Sequence, residues 1–349
     1  MMLRLTSIVL LGLLPNLLPA QARVHEDILN LKAEGRAGPA LAACSQNLTK
    51  LLAKQKLSPA GATQAEYLLT LAELVARKYL LHKEFCDMAT QLSKSPGLAS
   101  QPLLASWLHH YETEHLSAQG KLSEAAKILD DLGYVRDFQV IGPLDNERGG
   151  GFREAREFET APGKLDLSAT LDGKKRPVTW KRIQLVDEPT GVLNLAARQR
   201  PNSQALSYLA FAVTSPKAQI LSLRLATGGS VAAWVGRKEV LRRDCSIRSL
   251  GFDQDVCALP LQAGANLVLV KVCTQSGGYA TRMRICDLDG SSLGRDRIQV
   301  SAAPEAIEGA KKGAEGFALQ AKPADLVPAM GAEAHLVSLL ANGKDMEAK

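Results

Sequence analysis

FQVIGPLDNERGGGF, residues 138 to 152, joins two halves of the chain that follow different periods. An apolar run ends at Ile141, breaks at Gly142-Pro143, passes four polar residues from Asp145 to Arg148, and enters three glycines, Gly149 to Gly151. A phosphate loop would place a lysine and a hydroxyl residue directly after its glycines, and here Phe152-Arg153 follows instead. Asp145 and Glu147 are too close together on one turn to straddle a glycosidic bond as paired acid and base. The stretch therefore reads as a structural joint. Gly142-Pro143 turns the chain, Asp145 and Asn146 bond back to backbone amides, and Gly149 and Gly151 permit positive φ.

Upstream of the joint, residues 23 to 135 read as helical. Leu68, Leu71, Val75 and Tyr79 recur at steps of three and four, which sets one apolar stripe along a helix. SPAG (58 to 61) and KSPG (94 to 97) punctuate the region as helix connections. Gly120 and Gly133 bracket KLSEAAKILDDL, with Ser123 expected as N-cap and the second glycine as the stop. Ahead of this region, Met1 to Arg4 is a charged start, Leu5 to Leu18 is almost wholly apolar, and Ala20-Gln21-Ala22 offers a small-x-small cleavage pattern. We expect a secretory signal peptide over residues 1 to 22, export to a periplasmic or extracellular space, and no stable membrane insertion after cleavage, since a spanning helix needs about 20 apolar residues.

Downstream, LSYLAFAVTS (206 to 215), QILSLRLATG (219 to 228), SVAAWVG (230 to 236), ANLVLVKVCT (265 to 274) and TRMRICDLDG (281 to 290) are short β-rich runs divided by Gly, Pro, Ser and Asp clusters. Their spacing predicts one antiparallel β-sandwich over 136 to 300, with QSGGYA as the turn of a hairpin between the last two runs. The Ala-rich tail, 301 to 349, is expected to be helical or partly disordered.

The formal charge of +6 is gathered in KKRPVTWKR (174 to 182), RQR (198 to 200) and GRKEVLRRD (236 to 244). That excess is small for a nucleic-acid binder. It fits solvated strand faces and loops, or contact with an anionic envelope polymer. Aromatic residues make up only 5%, which weakens any reading built on rows of stacking rings. Trp180, Trp234 and Arg237 are the candidate binding residues, with core packing the alternative for Trp234. None of the six cysteines forms a C-x-x-C pair; Cys245 with Cys257 and Cys44 with Cys86 are either disulfides or buried thiols. HHYETEH (109 to 115) holds three histidines and two glutamates, but not the H-E-x-x-H spacing of a zinc protease. A solvated helix face is the expectation there. DLDG (287 to 290) opens like a calcium loop without its later ligands, and reads as a turn. No histidine occurs between 136 and 300, which excludes a Ser-His-Asp or Cys-His site confined to that region.

Ile141, Gly142, Pro143, Asp145, Asn146, Glu147, Gly149, Gly151 and Phe152 match a motif resembling I-G-P-F-D-N-E-x-G-x-G-F, with Leu144 at its phenylalanine. That motif opens the galactose-binding-like β-sandwich of secreted bacterial tetratricopeptide-like proteins, some of which continue into a transglutaminase-like domain. VAAWVGRKEV resembles the V-x-V-W-V-N-G-K-x-V hairpin of that sandwich. LPLQAGANLVLVKV resembles a later strand, with Trp234, Gly264, Asn266 and Lys271 in order. SAQGKLSEAAKILDDLG resembles a tetratricopeptide unit. Gly236-Arg237 replaces the Asn-Gly of the hairpin, and the Cys, His and Asp of a transglutaminase-like domain find no match.

The resemblance implies N-terminal helical hairpins, an antiparallel jelly-roll β-sandwich and a short helical tail. It also implies a non-enzymatic exported binding or scaffold protein without catalytic residues, metal or cofactor. An envelope protein or a glycan is the expected partner, and nucleic acid is not. An accessory or truncated relative of a transglutaminase-like or peptidase system is the alternative, and a metal-dependent hydrolase using the histidine-rich helix the third.

Overall fold

The computed structural model describes residues 19 to 314, apart from 187, 246, 295 and 296. Most of the expected signal peptide, residues 1 to 18, and the tail beyond 314 lie outside the described residues. The protein is mixed α and β, and its described residues form two compact units, 19 to 115 and 116 to 314. No described helix is long and apolar enough to cross a membrane.

The first unit holds α1 (Pro19–Ala33), α2 (Ala37–Leu52), α3 (Pro59–Tyr79), α4 (His82–Leu92) and α5 (Pro102–Ala118). SPAG starts α3 as its residues dictate: Ser58 Oγ accepts from the Gly61 amide at 3.1 Å, and Pro59 occupies the first turn, where an N–H is not needed. The expected stripe is buried at Leu68, Leu71 and Val75 among Leu41, Leu48, Phe85 and Leu108. Each such side chain contributes about 1.5–3 kcal/mol on leaving water. Tyr79 is partly buried and its hydroxyl donates to the Lys32 carbonyl at 2.9 Å. KSPG leads into a single 3-10 turn, Pro96–Ser100, before α5.

The second unit begins one helix earlier than the change of period places it. α6 (Leu122–Asp131) starts from Lys121 without a side-chain cap, so Ser123 lies inside the helix rather than at its cap. Gly133 ends it, with the Tyr134 amide reaching back to the Leu129 carbonyl at 3.0 Å. Arg136 then ties α6 to the strands that follow, pairing with Asp130 at 2.9 Å and donating to the Leu185 carbonyl at 2.7 Å.

The strands are β1 (Asp137–Asp145), β2 (Thr170–Leu171), β3 (Val178–Thr179), β4 (Lys181–Gln184), β5 (Leu193–Asn194), β6 (Ala205–Ser215), β7 (Gln219–Thr227), β8 (Val231–Val235), β9 (Lys238–Arg243), β10 (Asp255–Leu261), β11 (Gly264–Thr274), β12 (Ala280–Cys286) and β13 (Gln299–Ser301). One antiparallel sheet runs β4-β1-β6-β11-β8-β9, with β13 also pairing with β6. The other runs β10-β7-β12-β5, and β2 and β3 form a separate ribbon. Phe138, Phe211, Val268 and Val270 of the larger sheet share one core with Leu223, Leu259, Met283 and Ile285 of the smaller. The larger sheet is also covered on its outer face, by Phe152, Trp180 and α7 (Pro304–Ala314) with Ile307 and Ala310. Burial on both faces explains why LSYLAFAV runs apolar without alternation.

VAAWVGRKEV forms the expected hairpin, with Val235 opposite Lys238 across a two-residue Gly236-Arg237 turn. QSGGYA does not. β11 pairs with β6 and β8, while β12 pairs with β7 and β5, so this segment carries the chain from one sheet to the other. Its glycines serve a close approach, since a Cβ on Gly228 would lie 1.8 Å from the Gly278 carbonyl oxygen.

Candidate functional site

The joint sequence is built as a turn, in which the side chains of Asp145 and Asn146 are both occupied. β1 passes through a cis Gly142-Pro143 bond and a bulge between Ile141 and Leu144 against β6. Asn146, 2% exposed, accepts from the Phe152 amide at 2.9 Å and donates to the Thr274 carbonyl at 3.3 Å. Asp145 accepts from Lys174 Nζ at 2.7 Å and from the Glu147 amide at 3.4 Å; the Lys174 bond chiefly holds its carboxyl below the usual range. Gly149 takes φ +73°, whereas Gly151 serves differently: a Cβ there would lie 2.0 Å from the Asp145 carbonyl oxygen.

The loop that follows is clamped from the sheet. The buried Lys271 Nζ donates to the carbonyls of Phe152 at 3.2 Å and Glu154 at 2.6 Å, and meets the buried Glu159 carboxylate at 3.0 Å. Tyr208 donates to the same Glu159 oxygen. This arrangement shapes the loop and leaves the Glu159 carboxylate fully engaged.

Two of the three basic runs come together once folded, and the third stands apart. In GRKEVLRRD two of the four cations are paired: Arg242 with Glu239 at 2.6 Å and Arg243 with Asp255 at 3.3 Å. In KKRPVTWKR, Lys174 is held by Asp145 and Arg182 by Asp137 at 2.8 Å. Lys175, Arg176 and Lys181 are left, no carboxylate pairs with any of them among the described residues, and Arg176 and Lys181 reach a common basin. They meet Arg198 and Arg200 of the second run around a basin of about 340 Å³. Gly142 and Pro143 also line it, with Val140, Val178 and Ile183 supplying apolar surface, and the four cations are exposed. Arg198 lies 3.8 Å from Glu188, while Arg200 donates to the Gln199 carbonyl at 2.8 Å. Gln199, also lining the basin, accepts from Ser207 at 2.6 Å, and Ser207 Oγ lies 2.5 Å from the Tyr279 hydroxyl, which ties this wall to both sheets. Among the described residues no carboxylate lines the basin, so the charge on its walls is positive and suits an anion.

The residues singled out from sequence are placed elsewhere. Trp234 and Trp180 are 2% and 8% exposed and belong to the core on the outer face of the larger sheet, Trp180 edge-on to Phe158 at 6.3 Å. Burial of both indoles takes away the ring faces that a sugar would stack on. Arg237 is exposed at the β8–β9 turn and does not line the basin. The histidines of HHYETEH meet three different carboxylates: His109 with Glu112 at 2.9 Å, His110 with Glu114 at 3.5 Å and His115 with Asp87 at 2.8 Å. DLDG is a turn, with Asp289 accepting from the Ser291 amide at 2.9 Å. All six cysteines are free thiols, and burial pushes those of Cys44, Cys257 and Cys273 up to about 12. Sequence reasoning found the charge of the basin in its two runs, but had no means of seeing that 176, 181, 198 and 200 converge.

No protein-family model and no curated protein matches this chain. Among solved structures, a β-glucosidase from Kluyveromyces marxianus in complex with glucose is similar over 31% of this chain and 14% of its own, at 12% identity and a TM-score of 0.25. A selenomethionine-labelled structure of a β-glucosidase from Kluyveromyces marxianus is similar over 55% of this chain and 25% of its own, at 10% identity and 0.26. A family 35 carbohydrate binding module from an environmental isolate is similar over 28% of this chain and 72% of its own, at 17% identity and 0.21. At scores of this size the likeness carries no argument about fold or ligand. The class of the chain is that of its own geometry: helices in one unit, and two antiparallel sheets on a common core, bearing a basic basin, in the other.

Proposed function

We propose that this is an exported, non-enzymatic binding protein whose second unit, a galactose-binding-like jelly roll, takes an anionic glycan in the basin walled by Gly142-Pro143. The helical unit, read as tetratricopeptide-like hairpins, serves a protein partner of the envelope. One observation carries the reading: Arg176 and Lys181 from one basic run and Arg198 and Arg200 from another surround an apolar-floored basin with no carboxylate on its walls among the described residues. A volume of about 340 Å³ is at the small end for a ligand site and suits one or two sugar rings. Arg offers a planar fork to a carboxylate or sulfate, and Lys a point charge. Nucleic acid is disfavoured because Trp180, which shares the basic run, is buried and offers no base-stacking face.

The test is an array of acidic and neutral oligosaccharides probed with the full chain, beside Arg176→Glu/Lys181→Glu and Arg200→Glu variants. Acidic members should be retained at low ionic strength and released as salt rises, because exposed charges are screened within about 10 Å at 0.1 M. Loss of each cation should weaken binding about tenfold or more, since a hydrogen bond to a charged group contributes about 1.5–3 kcal/mol. Equal retention of neutral sugars, or no retention at any salt concentration, would refute the reading.

A further inference from the structure

The first unit carries a side-chain cluster that the basin does not involve. His82 and Cys86 stand one turn apart on α4, four residues along, and so share a face. Glu114 of α5 meets that face. His82 Nε2 lies 2.8 Å from Glu114 Oε2, and Cys86 Sγ lies 3.6 Å from His82 Nε2 and 3.9 Å from Glu114 Oε2. The three donor atoms all fall within 4.8 Å of one another.

We propose that His82, Cys86 and Glu114 form a binding site for a zinc-like divalent transition-metal ion, with three protein ligands and a fourth position left for water. Imidazole, thiolate and carboxylate together are the borderline donor set that zinc takes, and they suit magnesium or calcium poorly. Bonds of about 2.0 Å to nitrogen and 2.3 Å to sulfur, at tetrahedral angles, separate those two donors by about 3.5 Å. His82 and Cys86 already stand at that separation. The sulfur–oxygen edge is wider than this ideal by about 0.4 Å, and the His82–Glu114 hydrogen bond must open by about 0.5 Å to admit the ion. His82 supplies that movement, since its side chain is 62% exposed, while Cys86 is buried and fixed.

The charges also balance. A thiolate and a carboxylate neutralise a dication, and the thiol proton leaves to solvent on binding. His110, fully buried one turn before Glu114, lies 3.5 Å from the other carboxylate oxygen and orients it, as outer-shell partners of metal ligands do. Of the neighbouring charges, Arg77 pairs with Glu73 at 2.6 Å and also acts on Glu114 and His82, and Asp87 is occupied by Lys83 at 2.7 Å and His115 at 2.8 Å. Glu114 is the one member of this site that HHYETEH contains; the other two ligands come from the preceding helix.

The full chain, purified without a histidine tag and stripped with EDTA, would be titrated with Co²⁺ and then with competing Zn²⁺. Cobalt should give the d–d bands of a four-coordinate ion and a near-ultraviolet thiolate charge-transfer band, both bleached by zinc. Cys86→Ser should abolish the charge-transfer band while leaving the far-ultraviolet circular dichroism unchanged. His82→Ala, at an exposed side chain, should weaken cobalt binding by more than the roughly tenfold that loss of an outer-shell partner produces. Absence of the d–d bands overturns the proposal. So does a charge-transfer band that survives in Cys86→Ser, which would place the metal on another of the six cysteines, or an unchanged affinity in His82→Ala.

Discussion

Asp253→Asn removes one charge at almost constant volume and should unfold the second unit more readily than any surface change. The reason lies in the pairing of β7 with β12, which sets Arg224 directly opposite Arg284. Like charges directly opposed across a strand pair destabilise it, and both of these side chains are only 1% exposed. Asp253, 8% exposed, is the carboxylate they share. Its Oδ2 accepts from Arg284 Nη2 at 2.6 Å and from Arg224 Nη1 at 3.4 Å, and its Oδ1 from Arg284 Nε at 3.0 Å. The Leu288 and Gly290 carbonyls take one further N–H from each arginine, and the Phe252 ring lies 5.0 Å from the Arg284 guanidinium.

Those neutral partners remain in the asparagine variant, but the buried negative charge that both arginines share does not. Removing one partner of a buried ion pair costs about 3–5 kcal/mol, because the remaining charge is left uncompensated. For a unit of about 200 residues this corresponds to a Tm lower by about 6–20 °C. Calorimetry and urea unfolding followed by circular dichroism measure it. Adding Arg224→Met and Arg284→Met to the variant should recover much of the loss, since apolar replacement of a whole buried ion cluster is often neutral. The pH dependence supplies a second readout. Burial alone would raise the Asp253 carboxyl, but Arg284, Arg224 and Arg282 outweigh it and hold it below the usual range. A depressed folded value means that the stabilisation is full above the unfolded value of about 3.9 and is lost as pH falls through the folded one. The wild type should therefore lose stability below about pH 4 more steeply than Asp253→Asn. A variant within about 1 kcal/mol of wild type, with the same acid limb, would refute the reasoning.

Lys271→Met should cost about 3–5 kcal/mol by stranding the buried Glu159 carboxylate. It should also speed limited proteolysis between residues 150 and 165, and an unchanged cleavage rate would count against the clamp. Gly151→Ala should destabilise by about 1–3 kcal/mol, because its Cβ meets the Asp145 carbonyl. Gly150→Ala, with open space and helical φ of −58°, should stay within about 0.5 kcal/mol of wild type, and equal effects at both positions would refute the packing argument.

Several local signals in the sequence held where the structure they specify is local, although Ser123 lies inside α6 and not at its cap. The SPAG connection, the Gly133 stop, the stripe through Leu68 and Val75, and the two-residue Gly236-Arg237 turn each depend on residues within a few positions. QSGGYA shows the limit of such signals. Its glycines do specify a reversal of the chain, but which strand β12 pairs with depends on β7, more than fifty residues earlier. The same limit hid the arginine hub. LSLRLATG and TRMRICDLDG read only as short β-rich runs, and the Asp253 that neutralises their arginines sits on a separate segment. His82 and Cys86 are four apart on α4 and share a face, yet only the position of Glu114 gives the pair a third donor.

The two family-like motifs turn out to be halves of one interaction. DNERGGGF ends at Phe152, whose carbonyl is held by Lys271, and Lys271 comes from GANLVLVKV in the middle of the larger sheet. A lysine in a fully buried strand position is hard to account for from either motif alone. A loop carrying Glu159 and two inward carbonyls needs such a cation beneath it, and burying the cation in turn requires that loop. The clamp holds the loop that brings Phe152 over the outer face of the sheet and Phe158 edge-on to Trp180 at 6.3 Å, and the strand after Trp180 carries Lys181 to the rim of the basin. On this account the acids and glycines of the joint act on a ligand only indirectly, by fixing the Gly142-Pro143 wall and the loop that completes the basin. Loosening the clamp with Lys271→Met should then weaken acidic-glycan retention even though Lys271 does not line the basin, whereas a purely local role for the clamp would leave retention by the folded fraction unchanged.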